Sequence, residues 1–523
     1  EMCIRDRTSI HIIMKLKTIN ITITCLFCFL SVFAQKNSLI PNTPSKAPDY
    51  FCTWNLQGYL VSHQNTQLTR KAMNERNLFG KGKYQNWVNC YPTIREDLYF
   101  VLDDSWDIPK DVNDKPNPFL GTVELNEERF PSFQGTPKER LQQLVSCIKA
   151  KGWKGVGGWI CAQKADNQHE IDENSYWTER IRTADESGFD YWKVDWGNNL
   201  HNGKWRKMLT DIGKQYAPRL YIEHACDNKF IEFSDVFRTY DVENIIAQPV
   251  TIQRICDLLP YTASTDAKGL INCEDEPYIA AGLGCAIGIM RHPFVGNMPD
   301  GNQDIAFPPV GRDMKRRLDE IVRGVRWHRI AEPFGVNGKD FEIDKIKLED
   351  YWMLKEKETW VKSRKAGSKV TASAPARVSR GMPLPEVSDS ISEERPYILS
   401  SRYPNGAIAI ASIGRSLGRE YISKRIGVTI HIPQVEAPIG VFGYFQELTL
   451  ILTDTLNTKK YKVLAQDLAG NSPSDITKRI KIEGKKITIS GELLAHIGLM
   501  KASKNDYSDP GLVIQILKKR SIK

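Results

Sequence analysis

The sequence predicts a (β/α)8 TIM barrel followed by an antiparallel β-domain, on three observations. Between residues 51 and 291 eight short apolar runs alternate with amphipathic stretches, the pattern of repeated βα units on a parallel sheet. Five of these eight runs end in charged residues (Asp103-Asp104, Asp195, Glu223, Asp241, Arg291-His292). Barrels of this kind carry their reactive groups at the C-terminal ends of the strands. Past about residue 365 the helical period is lost, and short β-type runs with turn signals take over.

The expected strands are 51–56, 98–103, 154–160, 190–195, 219–223, 235–240, 261–265 and 286–291. Between them lie credible helices. Thr136-Pro137-Lys138-Glu139 opens one with a capping threonine and a proline in the first turn, and Leu141, Leu144 and Ile148 follow at helical spacing. The barrel is assigned to 48–365. The Ser-, Pro-, Ala- and Lys-rich stretch 366–396 is read as a linker or domain edge, and 397–523 as a β-sandwich-like domain. Within the latter, 480–482 and 487–489 flank Glu483-Gly484 as a hairpin, and 427–432 reads as a further strand.

The N-terminus is read as an address. After Met14 come Lys15 and Lys17, an apolar run over 19–33, then Val32 and Ala34 at the small-residue positions of a cleavage site. That is a secretory signal cut after Ala34, with 1–13 as an upstream translation artefact. The run is shorter than the roughly 20 residues that span a bilayer, so no membrane span is expected in the mature chain, which would be secreted or periplasmic.

Composition narrows the class. The 523 residues are 41% hydrophobic, 26% charged and 10% aromatic, which excludes disordered, collagen-like and multispan membrane chains. The net charge of +9 arises from 72 basic and 63 acidic residues spread along the chain, with no basic block to track phosphates, so nucleic acid is not an expected partner. Cys52, Cys90, Cys147, Cys161, Cys226, Cys256, Cys273 and Cys285 read as core thiols or disulfides, without indicating which would pair. No GxSxG, HExxH, Walker loop or strand-linked GxGxxG appears, and His201, His224 and His292 are scattered, so no metal or cofactor is expected.

The chemistry points to carboxylates. In 191–196 the period of two puts Tyr191, Lys193 and Asp195 on one face, with Trp192 and Val194 toward the helices. A lysine beside Asp195 would hold it ionised, as a nucleophile requires; a structural ion pair is the plainer alternative. The sixth run ends Arg238-Thr239-Tyr240-Asp241, and a second carboxyl group across the ring is what glycoside hydrolysis needs. Helix capping by Asp241 is the alternative, and Asp235 is a rival acid at the wrong end of its strand. Asp103-Asp104-Ser105-Trp106 joins two acceptors for sugar hydroxyls to an aromatic face. Trp54, Trp159 and Trp196 also fall at or near strand ends.

These motifs resemble the DDxW, KxD and R-T-x-D-type signatures of the clan D retaining glycosidases, the family 27 and 36 α-galactosidases. Trp54-Asn55 and Arg129-Phe130-Pro131 are similar to two further elements of that family, and the set follows family order. The resemblance implies a double displacement with Asp195 as nucleophile and Asp241 as acid/base. It implies that Asp103 and Asp104 bind the O4 and O6 side of a galactose-like ring, that Lys193 and Arg238 touch hydroxyls, and that Glu223 lies near the 2-position. Trp54 and Trp106 would line the same sugar site. A carbohydrate is the expected partner. β-L-Arabinopyranosidase, α-N-acetylgalactosaminidase or a non-catalytic carbohydrate-binding barrel are the alternatives. Three departures stand out: Phe133 replaces the family's glycine after Ser132, Tyr240 is bulkier than usual beside the acid, and the WNDPD element is absent, with Asp266 standing near its place.

Overall fold

The computed structural model describes residues 38–60, 66–109, 119–165, 170–239, 246–264, 266–294, 316–338, 340–355, 366–389, 391–457 and 459–519. The expected signal 1–34 and the acid Asp241 lie outside them.

Eight parallel strands close into a barrel: β1 (Tyr50–Cys52), β2 (Tyr99–Leu102), β3 (Gly155–Ile160), β4 (Tyr191–Val194), β5 (Tyr221–His224), β6 (Val236–Arg238), β7 (Leu270–Glu274) and β8 (Ala286–Ile289). Closure pairs Tyr50 with Gly288 and Phe51 with Ile289. Alternation sorts the side chains as expected. Tyr50, Cys52, Val101, Tyr191, Val236 and Leu270 fill the barrel interior with Met290, while Phe51, Trp192, Val194, Ile271 and Cys273 join the outer core under the helices. Trp192 meets the Trp177 ring of helix Glu173–Glu186 edge-on at 6.2 Å. The helix opened by Thr136 is Pro137–Lys149, with the reciprocal Thr136/Glu139 capping box formed.

Two strands differ from the sequence reading. The first ends at Cys52, because the Thr53 carbonyl already accepts from Gln57 N and starts helix Trp54–Leu60. The seventh is Leu270–Glu274, not 261–265. Around Ala263 the backbone is satisfied by the Asn337 side chain, and Ser264 N donates to Glu232 O, so that apolar run is a loop. The true strand alternates Ile271 and Cys273 outward with Leu270, Asn272 and Glu274 inward. Its inner face is polar at one end, which hides it from a search for apolar runs. Asp266 accordingly precedes β7 and lines, with Asp235 and Lys214, a cavity of about 620 Å³ at the N-terminal mouth.

Behind the barrel stand three sheets of mixed pairing. Most neighbours are antiparallel, but Lys347–Met353 with Arg415–Gly418, Arg377–Arg380 with Tyr397–Arg402, Ile408–Ile413 with Ile439–Phe442, and Gly427–Ile432 with Glu447–Leu452 run parallel. The hairpin Lys481–Glu483/Lys486–Ser490 forms as expected. The stretch read as a linker carries strand Lys369–Pro375, since Val370, Ala372 and Ala374 alternate with polar residues. The eight-stranded sheet serves two cores. Ile398, Ile408 and Ile410 face the five-stranded sheet, whereas Leu399, Ala409 and Ala411 face the barrel. Small residues are needed on that second face: a Cβ on Gly282 of helix Pro277–Leu283 would lie 3.0 Å from Ala411 Cβ. Among the described residues no helix is long and apolar enough to cross a membrane.

Candidate active site

The C-terminal ends of β1, β2, β4, β5, β6 and β7 converge on one buried polar network. Three non-glycine residues just past strand ends, Ser105 after β2, Cys226 after β5 and Asp275 after β7, hold left-handed φ values of 83°, 80° and 54°. Backbone strain of this kind concentrates at functional sites.

Asp195 follows β4 directly and is 7% exposed. Trp159 Nε1, from β3, donates to its Oδ2 at 2.9 Å, and the Arg238 guanidinium, from β6, faces Oδ1 at 3.1 Å. The Asp195 backbone carbonyl accepts from Arg206 Nη2 at 2.6 Å. Burial alone would raise this carboxyl. Arg238, Lys193, the Trp159 indole and Arg206 outweigh burial and hold it below the ordinary aspartate range. Arg206 is fixed in turn by His224. Burial, with the charges of Arg206 and Arg238, lowers that imidazole well below its usual value, so its neutral Nδ1 accepts from Arg206 at 3.3 Å while Nε2 donates to Thr210 at 2.8 Å.

Lys193 and Arg238 divide the work differently from the sequence reading. Lys193 points inward as expected, but its Nζ reaches across to Asp103 Oδ2 at 2.8 Å, where Cys52 Sγ also donates at 2.8 Å. Arg238, rather than Lys193, sits directly on Asp195. It is completely buried, as is Glu223, which accepts from Arg238 Nη1 at 2.9 Å, Tyr191 OH at 2.7 Å and Asn272 Nδ2 at 3.1 Å. Glu274 Oε1 lies 3.6 Å from Arg238 Nε. Glu223 and Glu274 therefore brace the guanidinium that orients Asp195. Burial would lower the Arg238 pKa, but Asp195, Glu223 and Glu274 raise it well above the ordinary value. Burial raises Glu223 despite Arg238, Tyr191 and Lys193.

Asp104 points the other way from Asp103. Its Oδ2 accepts from Arg70 Nε at 2.9 Å and its Oδ1 from Ser105 at 2.8 Å. Trp54 is half-buried over the interior cluster at the barrel mouth. Trp106 is wholly buried in the outer core against Phe189, with its indole N–H on the Trp159 carbonyl at 2.9 Å; its role here is to hold β3, and it offers no open aromatic face.

The structure thus brings together Asp103, Lys193, Asp195, Glu223 and Arg238, with Asp104 and Trp54 at the rim. Sequence reasoning missed Glu274 and Asn272 because it placed β7 wrongly; their alternation with Ile271 and Cys273 was the available signal. Arg70 has no spacing signal at all, since it reaches the site from the helix Thr66–Lys71 between β1 and β2.

No family model matches the sequence, and no curated protein matches it either. Among solved structures, α-galactosidase I from Mortierella vinacea is similar at 11% identity and a TM-score of 0.39, covering 91% of this chain and 98% of that one. An α-N-acetylgalactosaminidase described as putative, from Bacillus halodurans C-125, is similar at 10% and 0.40, covering 92% and 100%. An α-amylase from Geobacillus thermoleovorans is similar at 8% and 0.40, also covering 92% and 100%. At such identities and TM-scores the likeness assigns no residue a role.

Proposed function

We propose that this chain is an exported glycoside hydrolase that removes terminal galacto-configured sugars by double displacement. The observation that carries the reading is Asp195: a carboxylate at the C-terminal mouth, kept ionised inside the protein, with the Trp159 indole donating to one oxygen and the Arg238 guanidinium facing the other. A nucleophile at an anomeric carbon needs this charge state and this fixed direction.

In the first step an Asp195 oxygen bonds to the anomeric carbon. The bond to the leaving oxygen breaks, and Asp241 gives that oxygen a proton. Asp241 is assigned this part on its place in the sequence alone, three residues after Arg238. In the second step Asp241 takes a proton from water, the water oxygen attacks the same carbon, and the ester to Asp195 breaks. Arg238 stays charged throughout, balanced by Glu223 and Glu274, so it steadies the carboxylate as its charge is lost and regained. Asp103 and Asp104 supply acceptors for ring hydroxyls beside Lys193 and Arg70. The apolar segment before Ala34 accounts for export.

Aryl α-galactoside, β-L-arabinopyranoside and α-N-acetylgalactosaminide should be offered in parallel. The chain is expected to release aryl alcohol from at least one, and Asp195→Ala to lose roughly 10³-fold or more of kcat. A wild-type rate retained in Asp195→Ala removes Asp195 from the nucleophile role. Sugar binding without turnover in the wild type would make the barrel a binding module instead.

A further inference from the structure

Arg70 holds donors that nothing in the described structure uses. Its side chain is 1% exposed, yet Nη1 and Nη2 have no hydrogen-bond partner; only Nε is engaged, on Asp104 Oδ2. Four N–H groups buried in this way are costly to leave unmade. The position is firmly built. Gln57 Nε2 ties the Asp104 carbonyl at 3.1 Å to the Thr69 carbonyl at 3.5 Å, and Arg129 Nη1 donates to the Arg70 carbonyl at 3.0 Å. The guanidinium lies over the ring of Trp196, 5.1 Å from its centroid, and Trp196 follows Asp195 in the chain. Arg70 therefore stands between the Asp103-Asp104 turn and Trp196, the residue that follows the proposed nucleophile in the chain.

Resting on the glycosidase reading above, we propose that Arg70 is a substrate-binding residue whose Nη1 and Nη2 hold two adjacent hydroxyl oxygens of a neutral sugar beside Asp104. A carboxylate oxygen has lone pairs for more than one donor, so a hydroxyl can give its hydrogen to Asp104 while its oxygen accepts from Arg70. The planar fork matches two neighbouring oxygens, which a lysine ammonium does not. Charge selects against an acidic sugar. Asp104 already balances Arg70, and among the described residues at the mouth the four acids Asp103, Asp195, Glu223 and Glu274 outnumber the three bases Lys193, Arg206 and Arg238. An anionic substituent would meet a net negative site.

The test is a grid of aryl galactosides, the parent and its 2-, 3-, 4- and 6-deoxy forms, against wild type and Arg70→Lys. On the parent, Arg70→Lys should lose roughly 10- to 100-fold in kcat/KM, the worth of hydrogen bonds to a charged group. On each of the two analogues that lack one of the hydroxyls Arg70 holds, that loss should shrink to about 3- to 10-fold, the other hydroxyl remaining in place. An equal loss on every analogue makes Arg70 structural and overturns the proposal, as does wild-type preference for a galacturonide over a galactoside. Should Arg70→Lys fail to fold, a crystal structure of Asp195→Ala with methyl α-galactoside decides: sugar oxygens within about 3.2 Å of both Nη atoms support the proposal, and water alone there refutes it. Wild type inert on every aryl glycoside sinks the hydrolase reading, while the bound-sugar structure still judges Arg70. No sugar bound at all sinks both.

Discussion

Replacing Trp159 with phenylalanine deletes one hydrogen atom that matters. The indole Nε1 donates to Asp195 Oδ2 at 2.9 Å in a largely buried setting, and Trp159 itself is 1% exposed. A hydrogen bond to a charged group is worth about 1.5–3 kcal/mol, so the ionised form of Asp195 should lose stabilisation of that order in Trp159→Phe and the carboxyl should titrate higher. The direction follows from the charge state. Asp195 is held below the ordinary aspartate range and, as the proposed nucleophile, must be ionised to attack, so losing a donor moves the acid limb of kcat/KM toward neutral pH. The folded-state consequence has the same sign. A depressed carboxyl adds stability that is present above its unfolded value and lost as pH falls through its folded value; the variant keeps less of it. The smaller ring also leaves a gap beside Ile108, Leu120 and Cys161, which lowers Tm without moving a titration. The assay is kcat/KM against pH on the best aryl glycoside, with a thermal melt at each point. An acid limb that stays in place while the rate falls would show that Trp159 only packs, and the account of Asp195 would be wrong.

Two further predictions concern buried charge. Burial pushes the Asp107 carboxyl up to about 7, against an ordinary 3.8, although the Val123 backbone donates to it. A raised carboxyl binds its proton longer in the folded state, so stability should fall as pH rises from about 4 to about 7, by at most about 4 kcal/mol. Asp107→Asn should flatten that decline in denaturant melts between pH 4 and 8, and parallel curves for the two proteins would refute the assignment. Arg238→Met strands Asp195, Glu223 and Glu274 without their shared cation and should cost on the order of 3–5 kcal/mol or more. Adding Glu223→Gln and Glu274→Gln should recover much of the melting temperature but none of the turnover; a triple variant no more stable than Arg238→Met would mean that Arg238 packs rather than neutralises.

How much of the site was legible follows from geometry. Tyr191, Lys193 and Asp195 were placed on the inner face by alternation alone, and they lie there. Asp103 and Asp104 lie at the end of β2 as expected, yet they face different partners, Lys193 and Arg70, because successive residues at a strand end project to opposite sides. Arg238, expected to touch hydroxyls, is completely buried, and Asp195, Glu223 and Glu274 surround its guanidinium.

The linear order of residues determined the eightfold alternation, the inward phase of each short strand, the capping box at Thr136 and the acids at the strand ends, because each depends on neighbours within a few positions. Closure of the barrel decided the rest. Only when β7 lies between β6 and β8 do Asn272 and Glu274 meet Glu223 and Arg238, and only the helix packed between β1 and β2 carries Arg70 to Asp104. Those contacts join residues tens of positions apart, and their free energy comes from excluding water around paired charges, a property of the enclosed volume and of no local stretch of chain.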